Sequence, residues 1–394
     1  MNKRSVRDVD VAGKRVLVRV DFNVPLDAEG HVTDSTRLRE SLPTIRYLLE
    51  RGARVILMSH LGRPKGRVDE RLRLAPVALE LSRLLGMPVA YVKECVGPDV
   101  EQAVATLEPG QVLLLENLRF HPEEEANDPA FAQQLARLGD LYVNDAFGTA
   151  HRAHASTEGI AHYLPAVAGL LMERELDTFA RLMERPERPF AAIIGGAKVS
   201  TKIGVLEQLL DKVDRLLIGG GMANTFLLAE GKEVGRSLVE PDKVEVARRL
   251  LERARDKQVT VLLPVDAVVV DRIEGEAPRR LVSIDAVPPD LMIVDIGPAT
   301  VEQFAAALHD ARTILWNGPM GVFELPPFAE GTRKLAAVVG QTGAVTVIGG
   351  GDTVAAVEQA GVADRMTHIS TGGGATLELL EGRTLPGVAA LQDR

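Results

Sequence analysis

Short apolar runs recur along the whole chain. Each is a few residues long, rich in Val, Ile and Leu, and followed by a longer amphipathic stretch. The first half carries Val16–Val20, Val55–Met58, Val89–Val92, Val112–Leu115 and Leu141–Val143. The second carries Ala191–Ile194, Leu216–Ile218, Val261–Leu263, Leu291–Val294, Ile314–Trp316, Val345–Ile348 and His368–Ser370. Runs of this kind suit parallel strands buried on both faces. The stretches between them have helical spacing: Leu48, Leu49 and Ala53 follow Ile45, and Leu206, Leu209, Leu210 and Val213 follow Ile203. Such alternation means repeated βαβ units and an α/β fold. The series is long enough for two sheets, and 394 residues at roughly 150 per domain allow two or three domains. The seam is expected between Ala168 and Pro189. Leu170–Met183 reads as a helix, and Arg185-Pro186-Glu187-Arg188-Pro189 ends it, because proline cannot continue a helix. The expected layout is a first domain over 1–169, a helix and hinge over 170–185 and a second domain over 186–379.

Ligands of open parallel sheets bind beyond the carboxyl ends of the strands, so the residues just after each run matter most. In the first half these are Asp21-Phe22-Asn23, Ser59-His60-Leu61-Gly62-Arg63, Glu116-Asn117-Leu118-Arg119 and Asn144-Asp145-Ala146-Phe147, continuing to His151-Arg152-Ala153-His154. Arg37 lies in the connection after the first of them. Arg37, Arg63, Arg119 and Arg152 can fork onto phosphate and carboxylate oxygens. Asp21 and Asn23 suit a hydroxyl. The expected target is small, multiply anionic and hydroxylated. Taken singly, each arginine reads equally well as a surface ion pair; together, at successive strand ends, they read as a site. A zinc site at His151 and His154 is set aside, since no acidic or thiol partner stands nearby in the sequence.

The strand ends of the second half are glycine-rich: Gly195-Gly196-Ala197-Lys198, Gly219-Gly220-Gly221-Met222, Gly349-Gly350-Gly351-Asp352-Thr353 and Thr371-Gly372-Gly373-Gly374. Backbone without side chains can approach a ligand closely, and each cluster leads into a helix start, where free N–H groups favour phosphate. Lys198 and Lys202 share a face if helical. Asp352 can hold Mg²⁺ carried by a nucleotide. There is no G-x-x-x-x-G-K-[ST], and the nearest approach to G-x-G-x-x-G ends in Asn224, which counts against a dinucleotide dehydrogenase.

The net charge of −9 disfavours nucleic acid and anionic membrane as partners. One cysteine, Cys95, permits no internal disulfide and suits a reducing compartment; it reads as an inert thiol. The first residues are polar, without the apolar core of a signal peptide, and no apolar run approaches the ~18 residues of a membrane span. A cytoplasmic protein is expected. The run Glu123-Glu124-Glu125 reads as a solvated loop.

Several blocks resemble those of the phosphoglycerate kinase family of bacterial type. They include Arg19-Val20-Asp21-Phe22-Asn23-Val24-Pro25, Ser59-His60-Leu61-Gly62-Arg63-Pro64, Leu115-Glu116-Asn117-Leu118-Arg119-Phe120 and Asn144 through His154. Gly195-Gly196-Ala197-Lys198-Val199, Trp316-Asn317-Gly318-Pro319, Gly349 to Thr353 and Ser370 to Gly374 continue the series in family order. The resemblance implies two Rossmann-like lobes, each a parallel sheet flanked by helices, joined by a helix and hinge, with 380–394 returning to the first lobe. It implies reversible, Mg-dependent phosphoryl transfer between 1,3-bisphosphoglycerate and ADP, a glycolytic reaction, by direct in-line transfer after domain closure in a monomer.

By the same resemblance Asp21, Phe22, Asn23, Arg37, His60, Leu61, Gly62, Arg63, Arg119 and Arg152 hold 3-phosphoglycerate or its bisphosphate. Lys198, Lys202, Asn317, Glu324, Gly350, Gly351, Asp352 and Thr353 hold ADP or ATP, with Asp352 on Mg²⁺. Arg37 and Lys202 are the expected catalytic pair, meeting on the moving phosphoryl group. Glu324 also reads as a plain surface carboxylate, and Trp316 as a core residue. Asn224 and Ala155 depart from the family, standing where many members carry Phe and Ser.

Overall fold

The structure, a computed structural model, describes residues 1–394. The chain forms two compact units: Met1–Phe179 together with Thr384–Arg394, and Ala180–Arg383. The division falls inside the helix Leu170–Glu184.

The first unit is built on a six-stranded sheet of β1 (Arg15–Arg19), β2 (Arg54–Met58), β3 (Ala90–Tyr91), β4 (Val112–Leu114), β5 (Leu141–Asn144) and β6 (Ala166–Ala168), in the order β3-β4-β2-β1-β5-β6. Every pairing is parallel. Val16, Val18, Val55, Leu57, Leu114 and Val143 pack on one side against Leu38, Ile45 and Leu48 of the helix Thr36–Glu50. Alternate residues such as Leu17 and Ile56 are equally buried, which is why these runs are apolar throughout rather than alternating. The last residues of the chain belong here: Gln392 N–H donates to Ala166 O (3.0 Å), Arg4 N–H to Gln392 O (2.9 Å) and Gly387 N–H to Ala150 O (2.8 Å).

The second unit has its own six-stranded parallel sheet, of β7 (Phe190–Ile194), β8 (Arg215–Ile218), β9 (Thr260–Leu262), β13 (Thr313–Asn317), β14 (Val345–Gly349) and β15 (His368–Ile369), in the order β15-β14-β13-β7-β8-β9. Between β9 and β13 the chain forms a separate three-stranded antiparallel sheet of β10 (Asp266–Val270), β11 (Arg280–Ser283) and β12 (Met292–Ile296). The run Leu291–Val294, expected among the parallel strands, lies in this second sheet instead. A short apolar run reports burial but not the direction of its partner.

The expectation of a solvated loop at Glu123-Glu124-Glu125 is also corrected. These residues form the short helix Pro122–Glu125, and Glu124 is wholly buried. Its carboxylate is satisfied there, accepting from Ser156 N–H (2.7 Å) and Ser156 Oγ (2.5 Å).

Candidate active site

In each parallel sheet the strand order reverses once, between β1 and β5 in the first unit and between β7 and β13 in the second. The crevice beyond the strand ends at such a reversal is the place where an open α/β sheet receives a ligand.

In the first unit, β1 runs out into Asp21 and Asn23. Asp21 Oδ1 accepts from Asn23 N–H (3.2 Å) and from Arg37 Nη1 (3.0 Å), and Arg37 also donates to Asn23 O (3.1 Å). Arg37 reaches this point from the first turn of its helix and stays half-exposed. Asn23 Oδ1 accepts from Gly62 N–H (2.8 Å), which ties the loop after β1 to the loop after β2. Asn117 ties the loops after β2 and β4: its Oδ1 accepts from Leu61 N–H (3.2 Å) and Arg119 N–H (3.1 Å), and its Nδ2 donates to Leu61 O (2.7 Å). Arg119 Nη1 donates to Gly62 O (3.3 Å). Phe22 and Leu61 are core side chains, so they can serve a ligand only through backbone.

Beneath these loops lies a chain of buried polar groups. Arg19 Nε donates to Ser156 Oγ (2.8 Å), and Ser156 is held by Glu124. Arg19 Nη2 meets His60 Nδ1 at 3.0 Å. Arginine can only donate, so Nδ1 accepts and the ring proton sits on Nε2. Burial, reinforced by Arg19, Arg119, Arg37 and His154, holds the His60 pKa well below its usual value, so the ring is neutral. Burial together with Arg119, Arg19 and Arg152 likewise pushes His154 down to about 4. The guanidinium groups around His154 oppose a cation at that ring.

The cations here outnumber their partners. Arg119, mostly buried, has only Glu125 beside it (Nε to Oε1, 3.3 Å), and its own pKa is lowered by burial and by Arg19. Arg63 is exposed, with no carboxylate of the chain within ion-pair distance. Arg152 is exposed too, its Nε donating only to His151 Nε2 (3.4 Å). On a chain of net charge −9, a local excess of positive charge of this kind suits an anionic ligand.

Sequence reasoning missed Arg19, Ser59 and Asn117 as organisers of the site. Ser59 Oγ accepts from Phe22 N–H (2.9 Å). One sign was visible: an arginine inside the otherwise apolar run Val16–Val20 has to find buried partners.

In the second unit, β7 and β13 end side by side, and their exits are glycines. Gly220 has φ +71, and a Cβ there would stand 2.8 Å from both Gly196 N and Pro319 O, so no other residue lets these backbone segments pass. Next to them opens a cavity of about 250 Å³, with Leu227, Leu238, Met292 and Val294 as apolar wall and Asn224, Glu324 and Asp352 as polar groups. The helices Gly221–Ala229 and Gly351–Gln359 both begin here, and neither N-terminus is capped by a side chain. At the first, Met222 N–H already donates to Gly196 O (3.0 Å) and Ala223 N–H to Gly220 O (3.1 Å), whereas the N–H groups of Gly351, Asp352 and Thr353 at the second are open to anionic oxygens.

Lys202 Nζ donates to Asn317 Oδ1. Burial pushes the ammonium down to about 8 against the pull of Asp352 and Glu381. Thr353 is buried and its Oγ1 accepts from Gly318 N–H (2.6 Å), fixing the start of its helix against the loop after β13. Lys198, Glu324, Gly351 and Asp352 are exposed, while Gly350 (φ +90) turns the chain into the helix. Asp352 is an exposed carboxylate in the first helical turn, a hard-oxygen donor of the kind Mg²⁺ takes singly when phosphates supply the rest. Trp316 is a core residue, its Nε1 donating to Gly318 O (2.7 Å).

Residues 6–383 match the family model described as phosphoglycerate kinase. Over their full lengths, the chain is 62% identical to the phosphoglycerate kinase of Chloroflexus aurantiacus and 61% identical to that of Moorella thermoacetica. Among solved structures it is similar to phosphoglycerate kinase from Coxiella burnetii, at TM-score 0.91 and 43% identity with 98% of each chain covered. The phosphoglycerate kinase of Pyrococcus horikoshii gives TM-score 0.82 and 34% identity, again over 98% of each chain. With the two reversed parallel sheets and their crevices, these likenesses extend over the whole length: the chain belongs to the phosphoglycerate kinase family.

Proposed function

We propose that the first unit holds the phosphoglycerate and the second the nucleotide during the phosphoglycerate kinase reaction. That reaction is the reversible transfer of a phosphoryl group between 1,3-bisphosphoglycerate and ADP, giving 3-phosphoglycerate and ATP in glycolysis. The enzyme is a phosphotransferase with a carboxyl group as acceptor. The observation that carries the assignment is the contrast between the crevices: surplus guanidinium groups in one, glycine backbone and the open N-terminus of the helix Gly351–Gln359 in the other.

In this reading Arg63, Arg119 and Arg152 fork onto the phosphate that the reaction leaves unchanged. Asp21 and Asn23 meet the substrate hydroxyl, and neutral His60 offers its Nε2 proton. Arg37, already turned toward Asp21, takes the carboxyl end with its moving phosphoryl group. Gly350, Gly351 and Thr353 present backbone to the nucleotide phosphates, Lys198 and Asn317 flank them, and Glu324 accepts from ribose hydroxyls. Mg²⁺ brought in with the nucleotide would be held by Asp352 and, when bound, offsets the charge of the phosphate oxygens.

Lys202 and Arg37 are the catalytic pair, stabilising the equatorial oxygens at the transition state. No side chain becomes phosphorylated, because positioning and charge are what in-line transfer requires. Ligands held on separate units react only when the units close on each other, which also keeps water from the acyl phosphate. We also place the enzyme in the cytoplasm as a monomer, in keeping with its single buried thiol. No helix is long and apolar enough to cross a membrane. A coupled assay with 3-phosphoglycerate and Mg-ATP tests the reaction. The unit assignment is tested by calorimetry of each ligand on the intact chain: Arg63→Ala should weaken phosphoglycerate and leave nucleotide affinity unchanged.

A further inference from the structure

We propose that Glu94, Cys95 and His121 form a binding site for a borderline-soft divalent cation of the zinc class. Glu94 and Cys95 lie in the loop after β3, and His121 follows the turn Leu118–Phe120 after β4. One ligand atom from each, a carboxylate oxygen, the thiol sulfur and an imidazole nitrogen, lie within 4.8 Å of one another. Glu94 Oε1 stands 2.6 Å from His121 Nε2, and the Cys95 thiol also hydrogen-bonds to Glu94. The site is thus already assembled, with protons where an ion would sit. Around a tetrahedral ion with bonds of about 2.0–2.3 Å, ligand atoms stand roughly 3.5 Å apart. Glu94 and His121 therefore need to part by only about 1 Å.

The surroundings suit a cation. Three carboxylates, Glu94, Glu124 and Glu116, set a negative field at the Cys95 sulfur. The same negative field attracts a divalent ion, whose charge makes the thiolate tenable. The guanidinium cluster around His154 is the opposite case. Cys95 is wholly buried, whereas Glu94 (46%) and His121 (27%) keep exposed side chains. The ion enters from that rim, which leaves a fourth position to water. The His121 ring is steadied by Phe131, with centroids 5.1 Å apart. On binding, the cation replaces the thiol proton and, where the imidazole is protonated, its second proton, and both leave to solvent. The occupied site would pin the loop after β3 to the turn that carries Arg119.

Cobalt(II) is the direct probe, because a thiolate bound to it gives a charge-transfer absorption and Cys95 is the only cysteine. Titrating the intact, chelator-treated protein with Co²⁺ should produce that band with one-to-one saturation. Zn²⁺ should displace it and raise the unfolding temperature, and Mg²⁺ should do neither. Cys95→Ser should abolish the band. His121→Asn, at the rim and outside the core, should keep the fold while weakening Co²⁺ binding by tenfold or more. Absence of the band in the wild type would overturn the proposal. So would a band of unchanged affinity in His121→Asn, or Zn²⁺ stabilising Cys95→Ser as much as wild type.

Discussion

Arg37, Arg63 and Lys202 are all cations near a crevice, yet their settings predict different kinetic effects. Arg63 is exposed with no carboxylate partner, and in the proposed site it meets a phosphate that does not change during the reaction. Interactions uniform along a reaction set affinity, whereas those that strengthen at the transition state set kcat. Arg63→Ala should therefore raise KM for 3-phosphoglycerate with a smaller effect on kcat. Arg37→Ala and Lys202→Ala should each lower kcat by about 10² or more at saturating substrate. Near-wild-type kcat in Arg37→Ala would make Arg37 a binding residue only. Lys202 adds a pH dependence. Its pKa, lowered by burial to about 8, rises again when a phosphate comes beside it. Around pH 8.5, nucleotide binding should therefore take up a proton, and around pH 6, where the ammonium is already formed, it should not. Calorimetry in buffers of different ionisation enthalpy measures the uptake. Proton release, or equal uptake in Lys202→Met, would contradict the assignment.

At the scale of elements, the start of the helix Leu170–Glu184 rests on a buried acid. Asp145 Oδ1 accepts from Leu171 N–H (3.0 Å) and Met172 N–H (3.3 Å), yet burial pushes the carboxyl up to about 7. The folded value lies above the unfolded one, 3.8, so between them the folded chain holds a proton that the unfolded chain releases. The stabilising contribution is complete below the unfolded pKa and is lost as pH rises through about 7. Asp145→Asn keeps an acceptor oxygen without the titration. Its denaturant midpoint should gain on wild type between about pH 4 and pH 7, and parallel curves would exclude Asp145 as the source. Gly169 bears on the same carboxylate, since a Cβ there would overlap it; Gly169→Ala should cost about 1–3 kcal/mol in denaturation. Asp145 was legible from its place after β5, whereas its burial was not. The strands of both parallel sheets were mostly legible because burial on both faces makes them apolar throughout. The strand β11, Arg280–Ser283, was not, because it is largely exposed and carries Arg and Ser at its ends. Contacts between distant loops stayed hidden for another reason. Glu124 meets Ser156, and His121 meets Glu94, only because strands far apart in sequence lie together in the sheet.

For the whole molecule, placing the two ligands on separate units predicts a cooperative change of dimensions. Phosphoglycerate and Mg-nucleotide together should lower the radius of gyration in small-angle scattering, and either alone should do so less. An unchanged radius with both bound would argue against closure as the step that starts transfer. Connectivity bears on how the enzyme is made. Thr384–Arg394 belongs to the first unit, so the second is an insertion within the first. A ribosome working from the amino terminus normally lets domains fold in the order in which they are numbered. Here the residues that pair with Arg4 and Ala166 are translated only after the whole second unit, long after the sheet they complete. On nascent chains arrested just before Thr384 and extended by a linker, protease resistance should appear over 180–383 and remain incomplete over 1–179. The half that is synthesised first is the half that must wait for a segment made after the other is complete.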